Sequence, residues 1–111
     1  GRPYYEAAQE INKHPKDTNF FFWPAVESAQ GERMMHWYLY ILLRYMCYPR
    51  RIFSIHEDMY NAHRGDFKTK FAGEGERYSD LEWVNKHNIK YIILLRKAQV
   101  FILPVEERIV W

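Results

Sequence analysis

The sequence predicts an α/β domain, a small Rossmann-like arrangement of three layers with a mostly parallel sheet of roughly 3–5 strands. Three observations carry that expectation. Segments with helical spacing of apolar residues alternate with short apolar runs along the whole chain. The run "IKYIILL", Ile89 to Leu95, has almost no polar face, the mark of a strand covered on both sides. Finally, 111 residues with 48% hydrophobic content suffice for one core and leave no room for a second of similar size, so residues 1–111 are expected to form a single domain.

The first element is a helix over about residues 3–13. Pro3 fits a first helical turn, Tyr4, Ala7, Ala8 and Ile11 recur on one side, and Pro15 ends the helix after Lys13 and His14. "TNFFFW", Thr18 to Trp23, closed by Pro24, reads as a buried strand. A longer helix follows within Glu27 to Tyr48, its start uncertain by a turn around Gly31. Met34, Tyr38, Ile41, Leu42 and Tyr45 form its periodic apolar set, and its other sides are also largely apolar, so coverage on more than one side is expected. Pro49 stops it, and "RRIFSI", Arg50 to Ile55, reads as the next strand. Residues 56–78 are polar, with Gly65, Gly73 and Gly75, and read as a long loop. In "SDLEWVNKHN", Ser79 and Glu82 have the spacing of a capping box, and Asn88 suits the left-handed position that ends a helix. Arg50–Ile55 and Ile89–Leu95 are expected as neighbouring interior strands. "QVFILPV" and "RIVW" offer one or two more around Pro104, whose missing amide hydrogen favours an edge or a break. Asn-Lys-His stands before a strand twice, at 12–14 and 85–87; shared physics at helix ends explains the echo without an internal repeat.

Charge and cysteine content exclude several classes. A formal charge of +2 is too small to argue for a nucleic-acid partner, and none is expected; the basic groups Arg44, Arg50, Arg51 and Lys68, Lys70 form no large patch. The single Cys47 permits no internal disulfide and no thiolate metal cage, and its place at an apolar helix end favours an inert core thiol over a nucleophile. No run approaches the ~18–20 apolar residues that a spanning helix needs, so the segment itself is expected to be soluble. It begins Gly1-Arg2-Pro3 without an initiator Met, which points to a processed protein or a piece excised from a larger one.

Chemistry is sparsely marked. In an open parallel sheet ligands gather beyond the carboxyl ends of strands, where His56, Glu57, Asp58 and then His63 and Asp66 fall. An imidazole and two carboxylates there suit a divalent ion or an acid and base pair, yet the spacing matches no established metal motif and solvation alone explains such residues. No metal or cofactor is expected. A dinucleotide fingerprint, a phosphate loop and a nucleophile elbow are all missing from the sequence. The many aromatics invite sugar stacking, but core packing is the stronger explanation for all but Tyr48, Tyr60 and Tyr78. A surplus would suit a neighbouring domain or lipid headgroups.

"LLRYMCYPRRIF", followed at a distance by "LEWVNKHNIKYIILL", resembles the soluble extracytoplasmic domain of polytopic membrane glycosyltransferase-like proteins, the group of protein mannosyltransferases and lipid A aminoarabinose transferases. The opening "YYEAAQEINKHPKDTNFFFW" is similar to the helix-then-strand start of such domains. The resemblance implies a non-catalytic accessory or recognition domain, held on the extracytoplasmic side of a membrane by the membrane-embedded part of the same chain, with a sugar or lipid-phosphate ligand in reach. It carries no catalytic residue onto this segment. Arg44, Tyr48, Pro49 and Arg50 match its motif. Their structural reading is a helix stop with arginines on helix-end carbonyls or carboxylates; their functional reading is contact with an anionic ligand. With His56, Glu57, Asp58 and His63, the residues Arg44, Tyr48 and Arg50 make up the candidate ligand-binding set. Two other functions compete with an accessory domain: a free-standing small enzyme or metal-binding module built on the 56–66 loop, and a protein-interaction module using exposed aromatics or an edge strand. The oligomeric state is open.

Overall fold

The structure, a computed structural model, describes residues 2–23, 30–54 and 76–110. Along the chain run α1 (Arg2–Asn12), β1 (Asn19–Phe22), α2 (Gln30–Met46), β2 (Arg51–Phe53), a 3₁₀ turn (Tyr78–Asp80), α3 (Glu82–Lys86), β3 (Ile89–Arg96) and β4 (Gln99–Pro104). The alternation expected from the sequence is present, and it makes a small α/β domain around one mixed sheet. No helix among the described residues is long and apolar enough to cross a membrane.

The strands lie in the order β2-β1-β3-β4. β1 pairs in parallel with β2, Phe20 beside Ile52, and with β3, Phe21 beside Ile92. β2 and β3 therefore run in the same sense but are not neighbours, and among the described residues β2 is an edge. This corrects the expectation that both are interior and adjacent. The reason lies in the side chains: Phe20 to Trp23 are all buried, whereas β2 begins with exposed Arg51, so the wholly apolar strand takes the centre. β4 is antiparallel to β3 because only Lys97 and Ala98 separate the paired Arg96 and Gln99, far too few residues for a crossover. Pro104 ends β4 at the opposite edge of the sheet, as its missing amide hydrogen demands.

Both faces of the sheet are covered. On one, Ala7, Ala8 and Ile11 of α1 and Leu39, Tyr40, Leu43 and Cys47 of the α2 segment pack on Phe20, Phe22, Ile52, Ile93 and Leu95. On the other, Tyr78, Leu81, Trp83, Val84 and Val105 pack on Phe21, Trp23, Phe53, Ile92 and Leu94. Successive residues of β1 and β3 thus alternate between two cores, as the pleat requires. Each such side chain removed from water contributes about 2 kcal/mol before the cost of chain ordering.

The helix ends show where local sequence is and is not obeyed. Asn88 has φ 53° and ends α3 as its side chain permits. The capping box at Ser79 and Glu82 does not form. Ser79 lies within the 3₁₀ turn, and α3 starts after Leu81 without a side-chain cap. The Asp80 carboxylate instead accepts from the Arg77 amide at 3.0 Å. Burial of Tyr78 and Leu81 in one core forces the tight turn, and a Ser79-capped helix would give it up. Among the described residues "RIVW" adds no further strand; Arg108 makes an isolated antiparallel bridge with Arg77, and Val110 donates its amide to the Tyr78 hydroxyl at 3.1 Å.

The repeated Asn-Lys-His has one physical role at its two places. After α1, the His14 carbonyl accepts from Arg50 Nε at 2.9 Å; after α3, the His87 carbonyl accepts from Asn19 Nδ2 at 3.1 Å. Each helix end is held by a side chain from a distant element, which satisfies carbonyls that the helix leaves open. Arg50 goes further: it also donates to the Asn12 carbonyl at 2.9 Å and to Asn12 Oδ1 at 3.0 Å, while Asn12 Nδ2 donates to the Met46 carbonyl at 3.2 Å. The negative ends of α1 and α2 and the start of β2 are clamped together.

Two stability measurements follow. Arg50→Ala is expected to lower unfolding free energy by about 2 kcal/mol, and Arg50→Lys to recover only part of it, because an ammonium cannot reproduce the fork; urea midpoints of the three proteins measure this. Lys97 and Ala98 have φ 49° and 61°, a conformation that strains side chains bearing a Cβ. Replacing the pair, Lys97→Asn with Ala98→Gly, is expected to raise stability by about 1 kcal/mol in the same assay.

Candidate functional site

Three of the residues singled out in the sequence, Arg44, Tyr48 and Arg50, line one cleft of about 340 Å³ with Tyr45, Pro49, Arg51, Ile52 and Phe53. It lies where α2 ends and β2 begins. Local sequence builds it directly: Pro49 terminates the helical run, so Arg44 and Tyr45 from the last turns, Tyr48 from the turn and Arg51 from the strand come within reach of one another. The Tyr48-Pro49 bond is cis.

The lining is cationic and aromatic. Among the described residues it holds three arginines and no carboxylate. Arg44 places its guanidinium 5.3 Å from the Tyr40 ring centre, and Arg51 sits 4.4 Å over Phe53, so both heads are oriented by aromatic faces. Tyr45 and Tyr48 are the most exposed aromatics there, at 84% and 82%. Arg50 is different. Its donors are engaged by Asn12 and His14, so it contributes charge to the cleft while its hydrogen bonds hold the fold. The structural reading of Arg50, an arginine on helix-end carbonyls, is the one observed; the helix it serves is α1, far away in sequence.

Such a lining is suited to a phosphate or carboxylate held by guanidinium groups, with a ring or chain lying on tyrosine. Among the described residues it offers no acid and base pair. His87, whose ring is 5.7 Å from Phe53, is held below the ordinary imidazole range by partial burial and then by Lys86 and Arg51, and it stays neutral at neutral pH. Among the described residues no cluster of histidine, cysteine and carboxylate side chains has the arrangement to hold a metal ion. The remaining candidates, His56, Glu57, Asp58 and His63, lie outside the described residues, as does Tyr60.

A larger cleft, about 530 Å³ between α1 and β4, is lined by Glu6, Glu10, Gln99 and Phe101 among others. Its carboxylates oppose an anion, and none of the residues selected from the sequence lies there, so the smaller cleft fits the chemistry better.

Arg51 and Tyr45 join the site although the sequence did not single them out. Arg51 was legible as the second arginine of "PRRIF". Tyr45 was assigned to the helix core, and that assignment is overturned: Tyr38, Ile41, Leu42 and Tyr45 are exposed, while Leu39, Tyr40, Leu43 and Cys47 face the sheet. Tyr78, expected to be available for a ligand, is fully buried; Trp37, expected in the core, is 45% exposed. Two apolar stripes share α2, and periodicity gives no rule for choosing between them. No protein-family model matches the chain, and no curated protein and no solved structure matches it.

Cys47 is not part of the chemistry. It is fully buried under α1, with Sγ 4.0 Å from the Ala8 carbonyl, and burial pushes its thiol from the ordinary 9.0 up to about 11, against the opposing charge of Arg50. Because the folded value is the higher one, this group's stabilising contribution is complete below 9.0 and is lost as pH rises toward 11. An aromatic disulfide reagent is expected to leave the thiol unmodified at about pH 8 until denaturant is added; rapid labelling of native protein would show the site to be open.

Proposed function

We propose that the chain is a non-catalytic recognition domain, a small Rossmann-like unit attached on the extracytoplasmic side to the membrane-embedded part of a glycosyltransferase-like protein, and that its cationic cleft takes the phosphate-bearing part of a sugar or lipid ligand. The observation that carries this reading is the convergence of Arg44, Tyr48 and Arg50 on one cleft whose described lining residues include no carboxylate. These are residues through which the sequence resembles the glycosyltransferase-linked domains. Resemblance and geometry bear on the same few positions from separate directions.

In this reading Arg44 and Arg51 bind the anion, Tyr45 and Tyr48 present ring faces and hydroxyls to a sugar, and Arg50 holds the floor of the cleft by anchoring β2 to α1. Guanidinium forks suit a phosphate better than ammonium groups do, since two parallel donors match two oxygens. The membrane-embedded part of the same chain is the partner, and it supplies the chemistry.

The test is titration with a hexose 1-phosphate and with the neutral hexose, followed by NMR. The phosphate is expected to shift the amides of Arg44, Tyr45, Tyr48 and Arg51, and the hexose to have far weaker effect. Arg44→Ala with Arg51→Ala should weaken binding by at least about tenfold while the protein stays folded. Saturable binding that ignores both arginines, or shifts confined to another surface, would overturn the assignment.

A further inference from the structure

The outer side of α2 carries a stripe that the fold does not use. Trp37, Tyr38, Ile41, Leu42 and Tyr45 are 45%, 58%, 44%, 39% and 84% exposed, and Tyr48 continues the stripe past the helix end. Their spacing, 37, 38, 41, 42 and 45, follows the helical repeat along one side. Only Tyr5, Phe101 and Val110 are other large apolar residues with comparable exposure among the described residues, and they lie on separate elements. Contiguous apolar surface of this kind marks a contact site.

The composition of the stripe selects its occupant. From Met34 to His56 the sequence contains Arg44, Arg50 and Arg51 and no Asp or Glu. A second copy of the chain packed through this face would bring two sets of arginines together with no carboxylate from residues 34–56 of either, which disfavours self-association. The face is also convex, one helix wide, and its aromatic residues end in hydroxyls or an indole NH. Rings with polar tips, beside arginine, are favoured at the boundary between lipid headgroups and acyl chains, where a fluid surface adapts to a convex helix.

We propose that the exposed side of α2 is a membrane-contact face that lies on an anionic bilayer surface, with Trp37, Tyr38, Ile41 and Leu42 entering the headgroup boundary and Arg44 and Arg51 meeting lipid phosphates. The other side of α2 stays packed on the sheet, so the domain docks as a folded unit. This shares with the proposed function the premise that the domain works at a membrane and the two arginines Arg44 and Arg51, while the face formed by Trp37, Tyr38, Ile41 and Leu42 lies outside the cleft lining and stands independently of the cleft's ligand.

Vesicle sedimentation of the whole chain tests it, using phosphatidylcholine with and without phosphatidylglycerol. Binding is expected with the anionic lipid and to weaken as salt is raised. Trp37 is the reporter, read in a Trp111→Phe background so that the other tryptophans are Trp23 and Trp83, which are already buried: its fluorescence should shift to the blue on binding, and Trp37→Phe should remove that shift. Tyr38→Asp with Ile41→Asp should reduce partitioning by at least about tenfold. Both positions are exposed and neither lines the cleft, so the variant's response to hexose 1-phosphate shows separately whether the cleft reading holds. Three results would overturn the proposal: no sedimentation with either vesicle, equal partitioning of wild type and variant, or a concentration-dependent dimer that the same two substitutions dissolve.

Discussion

The fold depends on one constraint: β1 and β3 have no side fit for water. Phe20 to Trp23 and Ile92 to Leu95 are buried on alternating sides, so a single layer of helices would leave half of these side chains exposed. Helices on both faces are the physical answer, and the distribution of the other elements follows from it. α1 and α2 cover one face. The short α3, the 3₁₀ turn before it and the chain after β4 cover the other, which is why so short a helix suffices.

A second requirement comes from the helix ends. Two helices side by side on one face point carbonyls at a shared region, and that region would be costly without donors. Arg50 supplies them, and it stands next to the cleft because the turn that releases it from α2 is the turn that forms the cleft. Structure and candidate function therefore share a residue without sharing its hydrogen bonds. In the proposed reading, the free energy of holding the floor and the chemistry of binding an anion are divided between adjacent arginines, Arg50 and Arg51.

Among the described residues, electrostatics distinguishes two clefts. The cleft and the end of α2 are cationic and aromatic, whereas the groove between α1 and β4 carries Glu6 and Glu10. With a net charge of only +2, this local contrast matters more than the total, since screening confines each charge's influence to about 10 Å.

The sequence by itself determined the class of fold and the order of its elements, because both follow from local terms: period of apolar residues, prolines at stops, Asn88 at a helix end, and a strand with no polar side. It also brought Arg44, Tyr48 and Arg50 into consideration through a motif at the helix stop. The tertiary structure alone decided three things. It placed β1 between β2 and β3, since strand order depends on which strand most needs two neighbours and two covered faces. It turned Leu39, Leu43 and Cys47 inward and left Tyr38, Ile41 and Tyr45 outside, since α2 is apolar on both sides and only the shape of the sheet distinguishes them. It set the Ser79 cap aside for the burial of Tyr78 and Leu81, since a core contact outweighs about 1 kcal/mol of local capping. In each case the deciding partner is distant along the chain, and a distant partner leaves no mark in the local pattern.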